Sequence, residues 1–122
     1  MNILEADFLI KATKTAIQAE KLSFADSNIL KNLCGEHDKH LRFLEKLEQV
    51  KVKPWGNHLS ISGNEEAVQK VTLLLKQLYG IMEKGWLIHS SDIDYAHRIL
   101  TQDIHFDLAS IFLDTVFISS KK

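Results

Sequence analysis

Residues 50–63 read Val50-Lys51-Val52-Lys53-Pro54-Trp55-Gly56-Asn57-His58-Leu59-Ser60-Ile61-Ser62-Gly63. Val50 and Val52 alternate with Lys51 and Lys53, and Leu59 and Ile61 alternate with His58, Ser60 and Ser62. That two-residue period belongs to strands with one buried face. Between the runs, Pro54 weakens or ends the first strand and Gly56-Asn57 supplies a tight turn, so the stretch predicts a β-hairpin closed by Gly63.

On both sides of the hairpin the period is helical. Asn64 can cap a helix with Glu65 and Glu66 in its first turn, where the helix dipole favours acid. Val68, Val71, Leu75, Leu78 and Met82 step by three and four along it, with Leu74 and Tyr79 widening the stripe, so this face is core and Leu75 is its centre. Gly85 ends it. Upstream, Leu41, Leu44 and Leu47 mark a helix starting near Asp38, whose carboxylate can cap it. A helix before that carries Ile29, Leu30 and Leu33, opens at Asp26-Ser27 and stops at Gly35. Lys21 to Phe24 alternates briefly and predicts a short strand. Downstream, Ser91 with Asp94 predicts a capping box for a helix carrying Ile93, Ala96 and Leu100. Residues 3–20 fit either a helix or a loose arm, and residues 106–118 either a continuous helix or a helix followed by a strand.

The fold class that follows is α+β, with a βααββα core of three antiparallel strands and helices on one face. The division is an N-terminal arm over 1–20, a core over 21–85 and a C-terminal helical extension over 86–122. With 122 residues, 45% hydrophobic and 25% charged, the chain is sized for one domain. A single Cys34 allows no internal disulfide and no zinc framework, and a reducing cytoplasm is the expected compartment. No apolar run reaches membrane-span length, and the first residues carry acids where a signal peptide would carry Lys or Arg.

Charge is uneven. Residues 31–53 hold six basic and four acidic side chains, whereas residues 85–118 hold Arg98 against five aspartates. Any basic surface therefore surrounds the Gly35 loop and the hairpin, although a net charge of +2 also suits an ordinary solvated face.

Three motif readings fail on chemistry. Gly80 and Gly85 have P-loop spacing, but Trp86 and Leu87 stand where phosphate and magnesium binding need Lys and a hydroxyl residue. His37 and His40 are spaced to share a helix side, yet no third or fourth ligand completes a zinc site, so these read as solvated histidines. Cys34 has no base beside it and reads as a small buried hydrophobe, and no Ser, His and Asp spacing points to a triad. Trp55 stays open between stacking on a base and packing on a neighbouring domain.

The predicted order of strand, helix, glycine loop, helix, strand, strand and helix resembles a type I KH domain, with Leu33-Cys34-Gly35-Glu36-His37-Asp38-Lys39-His40-Leu41 as its loop segment and Leu59 to Val68 as its last strand and helix start. A KH loop of the form G-x-x-G clamps nucleic-acid backbone by close approach of its main chain. Here Asp38 replaces the second glycine and brings a negative charge to where phosphate would lie. The segments from Asn32 to Leu41 and from Gly56 to Gly63, with Leu78-Tyr79, further resemble the N-terminal domain of PhoH-like proteins, a family of cytoplasmic P-loop ATPases linked to RNA metabolism.

That resemblance implies a non-catalytic domain with no cofactor of its own, ending at Ser119-Ser120-Lys121-Lys122 before an ATPase domain that would hold ATP and magnesium. It implies weak contact with single-stranded RNA, or with an RNA-processing protein, through Gly35, Glu36, His37, Asp38, Lys39, Arg42, Lys51, Lys53 and Trp55. The competing expectation is a protein-interaction or oligomerisation module that binds no nucleic acid.

Overall fold

The computed structural model describes residues 18–112. They form β1 (Gln18–Ser23), α1 (Ser27–Cys34), a 3-10 turn (Glu36–Asp38), α2 (Lys39–Glu48), β2 (Lys51–Trp55), β3 (His58–Gly63), α3 (Glu65–Glu83) and α4 (Ser90–Gln102). The strands make one antiparallel sheet in the order β1-β3-β2. This is the expected α+β arrangement with a βααββα core. Residues 18–20 of the predicted arm form the start of β1 instead of a helix or loose arm, the rest of the arm and the end of the predicted C-terminal stretch fall outside the described residues, and 108–112 are helical.

Each element has a local cause. Asp26 in extended geometry accepts from the N–H groups of Asn28 and Ile29 at 2.9 and 3.2 Å, so α1 starts at Ser27. Asn64 does the same for α3, accepting from Glu66 N and Ala67 N. Gln49 ends α2 with φ 56°, a left-handed residue where glycine is commoner, and its side-chain amide donates to the Lys46 carbonyl at 3.0 Å. The hairpin turns through Gly56 at φ 60° with Asn57 at negative φ, the sign pattern of a type II′ turn.

Four boundaries differ from the sequence expectation. β1 begins at Gln18 rather than Lys21 and ends at Ser23, because its pairing with β3 runs the full length from Gln18↔Gly63 to Ser23↔His58. β2 continues through Pro54 to Trp55. Its place at the sheet edge explains why: an edge strand can spare the donor that proline lacks. α4 starts at Ser90, and it is Asp92 whose carboxylate accepts from the His89 N–H at 2.9 Å. Asp94 instead pairs with Arg98 one turn on, at 3.0 Å. Leu47 is only partly buried, and α2 faces the core through His40, Leu41 and Leu44.

Leu59 and Ile61 of β3, with Val52 and Leu22 beside them, point to the helical side and are buried under α3. Val71, Leu74, Leu75 and Leu78 complete that layer with no exposed surface. The core does not stop at Gly85. Ile88, Ile93, Ala96, Leu100, Leu108 and Phe112 belong to the same buried cluster, so residues 88–112 share the interior of the KH-like unit. Where α2, α3 and α4 meet, Glu48 accepts hydrogen bonds from Lys70 Nζ at 2.9 Å and from His97 Nε2.

Candidate nucleic-acid interface

The loop between α1 and α2 is held by backbone geometry. Gly35 has φ 81°, and His37 and Asp38 both adopt left-handed conformations, at φ 55° and 58°. Asp38 N–H donates to the Gly35 carbonyl at 3.0 Å, closing the turn. Asp38 therefore occupies the kind of backbone conformation for which glycine is the default and which Asp tolerates better than most residues.

The same geometry overturns the expected cap. An N-cap residue needs extended φ/ψ to aim its oxygen at the next N–H groups, and Asp38 in left-handed geometry makes no side-chain cap bond to α2. Its charge acts on Cys34 instead. Burial, reinforced by the Asp38 carboxylate, pushes the Cys34 thiol up to about 11, so the sulfur stays a protonated, buried hydrophobe.

Two histidines expected to be solvated on one helix side are separated. His37 is exposed beside Glu36, whereas His40 is buried and its Nδ1–H donates to the Leu33 carbonyl at 3.0 Å. No group of three or more potential metal-ligating His, Cys, Asp or Glu side chains forms among the described residues. Gly80 lies inside α3 and Gly85 follows its end at φ 98°, so the P-loop spacing is part of a helix and its stop.

The loop borders an open groove of about 840 Å³. Leu30, Cys34, Met82 and Ile88 contribute apolar surface, and Pro54, Gly56 and Asn57 come from the hairpin. Leu87, His89 and Ser90, from the α3–α4 connection, line it as well. Of its ionised side chains, Lys31 and Lys39 are balanced by Glu36 and Asp38. With its charges balanced, the groove carries no net attraction for phosphate.

The nine residues expected to form one surface are divided between different places. Gly35, Glu36, His37, Asp38 and Lys39 line the groove. Arg42 lies further along α2, exposed and 3.9 Å from Glu45, outside the groove lining. Lys51, Lys53 and Trp55 alternate with Val52 and Pro54, so they point to the opposite face of the sheet. A strand's period of two enforces this separation.

That opposite face carries three cross-strand rows: Ala19, Ser62 and Lys51; Lys21, Ser60 and Lys53; Ser23, His58 and Trp55. None of these nine side chains is buried. Lys21 Nζ lies 5.6 Å from the centre of the Trp55 ring, and Ser23 Oγ and His58 Nδ1 share a hydrogen bond of 2.7 Å. Sequence reasoning missed Lys21 as a member of this surface. Its only local signal was the alternation Lys21-Leu22-Ser23, and pairing across β3 is what brings it to Trp55.

Compared with protein-family models, with curated proteins and with solved structures, the chain matches none of them. No helix among the described residues is long and apolar enough to cross a membrane.

Proposed function

We propose that this chain is a non-catalytic KH-like domain of a cytoplasmic PhoH-type ATP-binding protein, and that the groove beside Gly35–Asp38 makes a weak contact with single-stranded RNA. ATP and magnesium would belong to an ATPase domain outside these residues. The observation that carries this reading is backbone geometry. Gly35 and Asp38, spaced as the two glycines of a KH loop, both have positive φ and stand between two helices at the rim of a groove. Weakness follows from charge, because the Asp38 carboxylate occupies the position where a phosphate should approach.

Anisotropy of a labelled single-stranded RNA, measured on wild type and on Asp38→Gly at two salt concentrations, tests the groove. The expected result is weak wild-type binding, strengthened in Asp38→Gly and steeper in salt. Unchanged affinity in Asp38→Gly would remove the groove from the reading. The rival, a protein-interaction or oligomerisation module presenting a partner to the parent protein, is favoured by the exposure of Trp55 and Leu87, at 74% and 67%. Failure of both proteins to bind RNA would favour it.

A further inference from the structure

The sheet face opposite the helices has a charge pattern the groove lacks. Lys21, Lys51 and Lys53 project from it, and none of the three makes an ion pair among the described residues. No acidic residue occupies the three rows. Glu20 lies on the other side of β1, facing as Leu22 does. Glu45 shares a depression with Lys51 at one end, but its carboxylate already accepts from the Val52 N–H at 2.9 Å and lies beside Arg42. On a chain whose formal net charge is −1, this is a local field of one sign.

We infer that this face is a second contact surface for single-stranded nucleic acid, with a base stacked on Trp55 and the backbone tracking across Lys21, Lys53 and Lys51. Charge complementarity selects an anionic partner. The aromatic ring selects among anions, because Trp55 is largely exposed and sits next to a lysine ammonium, so a planar base can stack where a simple acidic peptide has nothing equivalent to offer. Ser60, between Lys21 and Lys53, supplies a hydroxyl for phosphate or sugar oxygens. A cationic surface with an aromatic platform is the combination that binds single strands with little sequence preference. This inference rests on the nucleic-acid reading but not on the groove.

The test uses a short fluorescein-labelled single-stranded oligoadenosine and the whole chain. In a Trp86→Phe background, which leaves Trp55 as the sole indole, binding of unlabelled oligonucleotide should quench tryptophan fluorescence. Trp55→Ala should weaken binding about tenfold or more. Lys21→Ala combined with Lys53→Ala should flatten the slope of log affinity against log salt by about 1.4, the change expected for two lost phosphate contacts on a single strand. All three residues are exposed, so these variants should keep the wild-type unfolding transition. Binding without quenching, and with an unchanged salt slope in the lysine variant, would overturn the inference while leaving the groove reading intact. No binding at all would also overturn it, as would self-association abolished by Trp55→Ala, which would give the face to a second copy of the chain. Quenching combined with an unchanged Asp38→Gly affinity would support the sheet face and remove the groove.

Discussion

The His40 ring packs so closely on Gly35 that a Cβ built there would lie 2.9 Å from the ring's Cγ and Nδ1. The ring is fixed in turn by its hydrogen bond to the Leu33 carbonyl at 3.0 Å. Gly35 is therefore required twice, for its φ of 81° and for the space its missing side chain leaves. Gly35→Ala should destabilise the domain by about 1–3 kcal/mol, the cost of a strained backbone with local crowding. Urea denaturation measures it, and a loss under about half a kcal/mol would show that the loop relaxes freely.

Leu75 has no exposed surface and sits in the middle of α3, within the buried core. Leu75→Ala should cost about 2–5 kcal/mol through lost burial and the cavity left behind. Chemical denaturation reads this directly, and a near-neutral result would contradict the packing described above.

Glu48 joins three helices. Burial pushes its carboxyl pKa up from 4.5, but hydrogen bonds from His97 and Lys70, with the charge they carry, outweigh burial and hold it below that value. Because the folded pKa is depressed, the stability it confers is fully present above about the ordinary glutamate value and is lost as pH falls through the folded pKa. Glu48→Gln should therefore be less stable than wild type at neutral pH, by about 1–3 kcal/mol for hydrogen bonds to a charged group. The gap should narrow as pH drops below 4.5. Denaturation of both proteins across that range checks the sign, and a gap that widened in acid would refute it.

Cys34 should react with a thiol reagent at neutral pH only as fast as the protein unfolds, since the sulfur is both buried and protonated. Labelling followed by mass spectrometry, with and without denaturant, decides this. Rapid modification of the folded chain would show that a reagent in the groove reaches the sulfur without unfolding.

Periodicity made the helices and the hairpin legible, because Val68 to Met82 and Val50 to Ile61 bury one face each and a buried face leaves a regular trace. Caps are legible where the residue adopts extended geometry, at Asp26 and Asn64, and not at Asp38, where the backbone turns left-handed and the carboxylate makes no cap bond to the helix. Ser91 and Asp94 have capping-box spacing, but the N-cap is His89, so the equivalent acid is Asp92. Of the candidate surface, the loop was legible as a contiguous motif. The separation of Lys53 and Trp55 from that loop was already implicit in their alternation with Val52. The cluster of Glu48, Lys70 and His97 was not legible at all, since its members come from three helices and only packing brings them together.

The edge strand β2 has one more consequence. In an antiparallel pair, alternate residues turn their N–H groups away from the partner, and on β2 these are Val52 and Pro54. The first is taken by the Glu45 carboxylate and the second does not exist. A further strand arriving from that side would find no free donor within β2 to pair with. Only the outward carbonyls are left for such a strand, which discourages the edge-to-edge aggregation that a fully open strand invites.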